Sequence, residues 1–280
     1  MHTGALGDYD ALRRARLDHA ATVARLVRND LRDRESTLAL VEKEAPALWV
    51  HHVGYTTNYT QPDFDWIGAL ETTARPLSFL YPVFRECGAS VIVTGTDQEY
   101  GASDHLNREE DVCRPNTPYG LSKLAEGAAA RQLSLLHAVP TRLARVYLPF
   151  GRLDNPRKLL PQLIEALREG RTMDLSAGEQ RRDFLGIADL CAAYIALAND
   201  MGRTMFDIFN VSSGEPTQLR TLLETLSDEM GADRALLNFG ALPMRPGEPP
   251  LSCGDASKAR DLLGWQARPL ARAISEDLLA

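Results

Sequence analysis

Residues 89–95, ASVIVTG, form the segment that most limits how this chain can fold. The run is apolar, rich in β-branched residues and free of charge, so it lacks the alternation of a strand with one face in water. A strand of this kind is buried on both faces, which is typical of a parallel sheet covered by helices on each side. We therefore predict an α/β fold built on a parallel sheet.

Helical and strand-like segments alternate around this run, as they do in βαβ units. Helices are predicted at residues 8–28, 35–45, 66–86 and 122–138, and strands at 48–54 and 141–151. The helix at 35–45 should end before Pro46 and the helix at 66–86 before Gly88, because proline and glycine terminate helices at such positions.

The pattern changes after about residue 150. Helices are predicted at 158–170, 217–231 and 257–265, and strand-like runs begin at 182 and 206. We expect a main body over residues 1–150 and a smaller C-terminal lobe over 151–280, with segments of the lobe returning to the body and a cleft between the two units.

Composition excludes several functional classes. The net charge of -7 argues against nucleic acid, whose phosphate backbone demands a basic surface. No apolar stretch approaches the roughly 18 to 20 residues of a membrane helix, and MHTGALGDYD at the start is not a secretory signal. The four cysteines follow no metal-binding spacing. We expect a cytoplasmic protein without a metal ion.

Tyr119 and Lys123 stand one helical turn apart in the sequence PYGLSK. An ammonium group beside a phenol favours the phenolate, and such a tyrosine can exchange a proton with a sugar hydroxyl while hydride moves. By itself the pair also fits a surface tyrosine followed by a helix lysine. Upstream, Thr96 follows the buried strand, and its hydroxyl should point into the crevice where parallel sheets bind ligands.

With this context the chain resembles the extended short-chain dehydrogenases of the nucleotide-sugar epimerase/dehydratase group. A strand-end hydroxyl, a YG turn and PYGxSK occur here in the family's order. The resemblance covers roughly residues 28–275. Further segments that match family motifs are NDLRD at 29–33, TRLARVYLPFG at 141–151, GEQRRDFLGIADL at 178–190, FNVSSG at 209–214, RPGEP at 245–249 and SKARDLLGW at 257–265.

The resemblance implies a Rossmann-like doubly wound sheet, an NAD or NADP cofactor and a nucleotide-sugar substrate. Its catalytic positions fall on Thr96, Tyr119, Lys123 and Asp97. Its cofactor-binding positions fall on Asp30, Leu31, Tyr119 and Lys123, with Asp30 near the adenine. Arg182 and Arg245 match the arginines that grip the nucleotide diphosphate, and Asn210 is expected to hold its turn.

The family's glycine-rich strand, loop and helix have no clear counterpart. Residues 3–10, TGALGDYD, echo TGxxGxxG, but Asp10 stands at the third glycine, where a carboxylate repels a pyrophosphate. We favour the interpretation that this octet belongs to a variable loop after the family's second strand. Two explanations stay open: the chain begins inside a longer gene, or it is naturally short. Because a sheet without its first strand exposes unpaired edge groups, truncation is favoured unless a partner chain fills the gap.

Other departures bear on the reaction. In TDQEYG, Gln98 replaces the carboxylate base of the 4,6-dehydratases, and an amide cannot take a proton from carbon. Glu99 is adjacent but should face the opposite side of a strand. Three more positions near the expected cofactor and sugar differ from the family: Val53, Thr73 and Ala144.

The leading hypothesis is an NAD-dependent epimerase or dehydratase that acts on a nucleotide-diphosphate sugar through transient oxidation at C4. One alternative is a dinucleotide-free pseudoenzyme or regulatory subunit. Another is a non-redox acid/base enzyme that uses Asp97 and Tyr119. We expect a homodimer that binds neither nucleic acid nor membrane.

Overall fold

Four parallel strands form the central sheet of the computed structural model, which describes residues 11–59, 61, 63–244 and 247–279. They are β1 (Leu48–His51), β2 (Ser90–Thr96), β3 (Thr141–Val146) and β8 (Phe206–Val211), side by side in that order. The segment at 89–95 thus lies in the middle of the sheet as β2, and the predicted parallel α/β fold is confirmed. At the described edge of the sheet, Val50 of β1 is 42% exposed.

The helices follow the alternation expected from the sequence. Their bounds are α1 Ala11–Ala21, α2 Arg34–Glu44, α3 Trp66–Thr73, α4 Arg75–Cys87, α5 Pro118–His137, α6 Leu159–Arg168, α7 Ile187–Asn199, α8 Leu219–Glu229, α9 Ser257–Leu263 and α10 Leu270–Ala273. Short 3-10 helices lie at Asp97–Glu99 and Arg234–Leu236, and a π-helical segment lies at Ile274–Leu279. In the described ranges no helix is both long and apolar enough to cross a bilayer.

Strand β2 is buried from both sides, as its composition requires. Val91 and Val93 pack with α4 and α5 in one core cluster, whereas Ile92 belongs to a second cluster that includes Leu190 and Leu197 of α7. Because neighbouring residues of a strand point to opposite faces, one uncharged run contributes to both cores.

Shorter strands build the remainder of the molecule. Strands β4 (Leu148–Phe150) and β7 (Phe184–Gly186) pair in parallel, as do β5 (Met173–Leu175) and β10 (Leu237–Phe239). Strand β6 (Arg181–Arg182) lies between β9 (Thr217–Gln218) and β11 (Leu251–Ser252). The chain leaves the central sheet after β3 and returns to it with β8. The division into units at 1–150 and 151–280 stays a prediction.

Several predicted boundaries were wrong. The helix predicted at 8–28 is described only as α1, with residues 8–10 outside the described residues and 25–30 in neither helix nor strand. The helix predicted at 66–86 is two helices, with a break at Ala74 ahead of Pro76. The strand predicted at 141–151 is interrupted at Tyr147, because β3 pairs with β8 and β4 pairs with β7.

A buried ion pair joins the ends of the two middle strands. The Arg145 side chain of β3 donates from Nε to Oε2 of Glu99 at 2.9 Å, and both residues are almost fully buried. Oε1 of Glu99 accepts from the backbone N–H of Thr96 at 2.9 Å. The guanidinium lies over the Tyr100 ring, 4.5 Å from its centroid. Glu99 is therefore bound to the core through both oxygens.

Replacing one partner of this pair should be costly. We expect Arg145→Met to lower the free energy of unfolding by about 3 to 5 kcal/mol, because it leaves Glu99 as an uncompensated buried charge. Urea denaturation followed by circular dichroism measures the change. Arg171→Met is the matched control: its pair with Glu169 at 2.8 Å is more than half exposed on both sides, so the loss should be below about 1 kcal/mol. Similar losses in the two variants would contradict the expectation.

Candidate active site

The carboxyl end of β2 places Thr96 and Asp97 together. Thr96 caps the 3-10 helix that follows: Oγ1 accepts from the N–H of Gln98 at 3.4 Å and donates to Oδ1 of Asp97 at 3.2 Å. The 3-10 turn is tight, so the three side chains that follow Thr96 leave in different directions. Sequence reasoning had treated these residues as a continuing strand.

Asp97 contacts a strand near the C-terminal end of the chain. Its Oδ2 accepts from Oγ of Ser252 in β11 at 2.7 Å. Burial raises the pKa of Asp97, and the Ser252 and Thr96 hydroxyls and the charge of Arg182 lower it in part. Asp97 is therefore bonded across 155 residues of chain, and its role as an acid stays a prediction.

Gln98 and Glu99 are both held by structural contacts. Oε1 of Gln98 accepts from Oγ1 of Thr117 at 2.8 Å, and Thr117 in turn caps α5 by accepting from the N–H of Gly120 at 3.0 Å. A Cβ at Gly120 would stand 2.3 Å from the Gln98 carbonyl oxygen, so the close approach of α5 requires glycine. Glu99 points into the core toward Arg145 and not toward Asp97. The 3-10 turn causes this difference in direction, whereas the sequence predicted that strand alternation would cause it.

Tyr119 lies at the start of α5, beside the loop that follows β1. A Cβ at Gly54 would be 3.6 Å from the phenolic oxygen, and the Tyr59 ring stands edge-on to Tyr119 with centroids 6.0 Å apart. Burial raises the pKa of Tyr119, and the charges of Glu126, Asp97 and Glu99 raise it further. The pKa therefore moves in the direction opposite to the one expected from Lys123 alone.

Lys123 makes two hydrogen bonds inside the protein. Its Nζ donates to Oε2 of Glu126 at 2.6 Å and to the carbonyl oxygen of Val53 at 3.0 Å, and only 2% of its side chain is exposed. Sequence reasoning did not name Glu126, although a carboxylate three residues after a lysine on a helix lies on the same face.

Arg182 belongs to β6 and is nearly buried. Its Nη2 donates to Oε1 of Glu248 at 2.8 Å, and Nη1 donates to the Arg181 carbonyl at 2.8 Å. The neighbouring Gln180 is 6% exposed, and its Oε1 has no hydrogen-bond partner within the described ranges. Glu248 was not singled out from the sequence. Arg245, the second expected diphosphate ligand, lies outside the described residues, as do residues 3–10.

The expected adenine-side residues lie in the turn before α2. The Asp30 carboxylate accepts from Nε and Nη2 of Arg32 at 3.0 and 2.6 Å, which lowers its pKa, and Leu31 is 3% exposed. Across residues 11–59, 61, 63–244 and 247–279, no cluster of three His, Cys, Asp or Glu side chains is arranged to hold a metal ion.

Two positions that depart from the family pattern, Thr73 and Ala144, and the expected structural residue Asn210 are all buried. Thr73 is buried: its hydroxyl donates to the Ala69 carbonyl, and its own carbonyl oxygen lies 2.8 Å from Nε2 of His51. Ala144 is fully buried in β3. Asn210 accepts from the Tyr100 hydroxyl at 2.7 Å and donates to the Asn107 carbonyl at 2.8 Å, so it joins β8 to other segments beyond its own turn.

Comparison with known proteins identifies the family of the chain. Residues 5–212 match the model of the NAD dependent epimerase/dehydratase family. UDP-glucose 4-epimerase of Mycoplasma pneumoniae is 26% identical over 75% of this chain and 65% of its own length. dTDP-glucose 4,6-dehydratase of Streptomyces griseus is 29% identical over 52% of this chain and 44% of its own. The chain spans about half the length of several curated relatives it matches.

Solved structures show the same fold. UDP-glucose-4-epimerase from Stenotrophomonas maltophila, with bound NAD and formylated UDP-arabinopyranose, superposes with a TM-score of 0.81 at 19% identity over 97% of this chain and 87% of that one. UDP-glucuronic acid 4-epimerase from Bacillus cereus, in complex with UDP-glucuronic acid and NAD, gives 0.81 at 20% identity over 95% and 84%. Because the family match covers most of the chain, the protein belongs to the NAD dependent epimerase/dehydratase family.

Proposed function

We propose that this protein acts on a nucleotide-diphosphate sugar through transient oxidation at C4. One observation carries the proposal. Oδ2 of Asp97 accepts from Oγ of Ser252 at 2.7 Å, and Ser252 stands opposite Arg182 in the β6–β11 pair. On the other side, Gly120, which follows Tyr119, lies against the carbonyl of Gln98, the residue after Asp97. The candidate proton-transfer residue and the candidate diphosphate ligand therefore lie near one carboxylate at the end of β2, where parallel sheets bind their ligands.

The residues around Tyr119 fit a nicotinamide dinucleotide. An ammonium group has three N–H donors, and the described contacts of Lys123 use two of them, so one remains for a ribose hydroxyl. Gly54 has no side chain to cover the Tyr119 hydroxyl. When bound, the cofactor supplies a hydride acceptor. Tyr119 then takes the proton of the C4 hydroxyl, and the Thr96 hydroxyl shares it.

Arg182 is proposed to bind the diphosphate. The guanidinium fork matches phosphate oxygens, and Glu248 now occupies one of its donors. A diphosphate would compete with Glu248 for that donor. The ligands of similar solved structures, UDP-glucuronic acid in one and a UDP-arabinopyranose derivative in another, support a nucleoside diphosphate carrying a sugar.

The carboxylates favour epimerisation, or another reversible C4 oxidation, over 4,6-dehydration. Dehydration needs a base at C5, and Gln98 is an amide held by Thr117. Glu99 cannot replace it, because Arg145 and the Thr96 N–H hold its two oxygens.

A dinucleotide-free binding protein is the second candidate. It is favoured by the attachment of Lys123 to Glu126 and by the raised pKa of Tyr119, both of which oppose phenolate formation. Such a protein would bind a nucleoside diphosphate normally but would never transfer hydride.

Substituting Arg182 tests the substrate site. We expect Arg182→Ala to weaken UDP or TDP binding about 10- to 150-fold, or about 1.5 to 3 kcal/mol, through the loss of charge-assisted hydrogen bonds. Isothermal titration calorimetry measures the affinity. Arg181→Ala is the matched control, because this neighbouring arginine is exposed and should leave binding within about twofold. If Arg182→Ala and the parent bind UDP with equal affinity, the assignment of Arg182 to the diphosphate site is wrong.

Substituting Tyr119 tests the reaction. With NAD and a UDP-hexose, Tyr119→Phe should slow reduction of the cofactor by about 10² to 10⁴, the usual contribution of a general base. Absorbance at 340 nm in a single turnover measures the rate. Tyr59→Phe removes a hydroxyl from the ring that stands against Tyr119 and should leave the rate nearly unchanged. If the parent binds UDP but gives no absorbance change under any NAD concentration, the second candidate function is the correct one.

Gln98 tests the choice between reactions. We expect 4,6-dehydration by the parent to be poor and Gln98→Glu to raise it by about 10² to 10⁴, because a carboxylate beside Tyr119 can remove the C5 proton. The alkaline absorbance of the 4-keto-6-deoxy product measures turnover, and Gln98→Met, which has no base, is the control. A parent that already dehydrates as fast as Gln98→Glu must draw its base from another residue.

A further inference from the structure

Glu126 is a buried carboxylate on α5 that the reaction described above does not use. Its side chain is fully buried, and its Oε2 lies 2.6 Å from Nζ of Lys123. Because the two residues are three positions apart on one helix, the contact needs no distant element to hold it. The same ammonium group reaches the Val53 carbonyl at 3.0 Å, so Glu126 and the end of β1 together determine where it lies.

The other oxygen of Glu126 faces groups that cannot neutralise it. Oε1 has no hydrogen-bond partner in the described part of the chain, and Nε2 of His51 is 3.6 Å away. That nitrogen donates a hydrogen bond to the carbonyl oxygen of Thr73 at 2.8 Å. Burial lowers the pKa of His51 to about 4, so the ring is neutral near pH 7. The Thr73 hydroxyl lowers the pKa of Glu126, but it carries no charge and donates its hydrogen bond to the Ala69 carbonyl. Lys123 is thus the cation that compensates Glu126.

We propose that Glu126 is a positioning residue that holds the Lys123 ammonium against the Val53 carbonyl and cancels the positive charge that Lys123 would exert on Tyr119. The proposal rests on the proposed function in one respect, namely that Tyr119 and Lys123 are the proton-transfer pair. It adds that the strength of Tyr119 as a base is set by a third residue, one turn further along the same helix.

The charges around both groups support this arrangement. Burial raises the pKa of Tyr119 most, and Glu126 is the largest of the charges that raise it further, ahead of Asp97, Glu99 and Tyr194. Burial also raises the pKa of Glu126 to about 7; Lys123 lowers it in part, and Glu99 opposes ionisation. Tyr81 also faces Glu126, whose charge raises the pKa of that phenol. A carboxyl group of this kind gains its proton as the pH falls through neutrality, and the charge of Lys123 is then left uncompensated.

Glu126→Gln separates this role from a structural one. The amide keeps the shape of the side chain and an acceptor for Lys123 but removes the negative charge. At a fixed alkaline pH the ratio of phenolate to phenol at Tyr119 should rise about tenfold or more, since a neighbouring unit charge shifts a pKa by about one unit or more. NMR of protein carrying ¹³Cζ-labelled tyrosine measures the ratio, without cofactor or substrate. Tyr119→Phe identifies the resonance.

Glu109→Gln is the matched control. Glu109 is also a buried carboxylate with a raised pKa, but it accepts from the N–H of Asn210 in β8. Glu109→Gln should leave the ratio of phenolate to phenol at Tyr119 within about twofold of the parent. Glu126→Asp should do the same where the shorter carboxylate still reaches Lys123. A Tyr119 ratio in Glu126→Gln that stays within twofold of the parent overturns the proposal, because a merely structural contact would lower stability without changing the ionisation.

Folding of the variants is checked by circular dichroism. If Glu126→Gln does not fold, the titration is carried out on the parent between pH 5 and 9 with ¹³Cδ-labelled glutamate. A Glu126 resonance that titrates near neutrality, with a matching change in the Tyr119 resonance, supports the proposal. A Glu126 resonance that titrates without affecting Tyr119 overturns it. Neither NMR readout depends on turnover. A failure of the proposed function would therefore appear in the single-turnover comparison of Tyr119→Phe with the parent and not in these titrations.

Discussion

The buried ion pair between Glu99 and Arg145 is the interaction on which the geometry of the candidate site depends. It joins the carboxyl end of β2 to β3, and through Tyr100 and Asn210 it extends to β8. Buried charges are costly unless they are paired and hydrogen-bonded, and here each oxygen of Glu99 has its own donor. The backbone of Thr96 is one of those donors. The core therefore holds the backbone from which the Thr96 hydroxyl extends toward Asp97.

Local patterns in the sequence were enough to predict a parallel sheet with helices alternating along the chain. Strand β2 could be read from seven uncharged residues, and Tyr119 and Lys123 from their helical spacing. The same reasoning failed where distant residues decide the outcome. Ser252 bonds to Asp97 across 155 residues, and Glu248 bonds to Arg182 across 66, and no periodicity reveals either contact. The break between α3 and α4 was missed although Pro76 marks it, because apolar spacing continues across the junction.

The pKa of Tyr119 shows a different limit of sequence reasoning. A lysine four residues away predicts a lowered value, since only the nearest opposite charge is visible in the sequence. In the folded chain, burial and the carboxylates of three other residues act on the phenol together. Glu126 was visible in the sequence, but its burial was not, and burial decides how strongly it acts. A pair motif therefore identifies which groups meet, whereas their ionisation depends on the whole surroundings.

The 3-10 turn at Asp97–Glu99 has a consequence for how members of this fold can diverge. Its three successive side chains contact three separate parts of the molecule: a strand of the C-terminal segment, the start of α5 and the core. A change at one of these positions is thus felt by one neighbour and not by the other two. The Gln98 side chain takes part neither in the bond of Asp97 to Ser252 nor in the ion pair of Glu99 with Arg145, so a substitution at position 98 leaves both contacts in place.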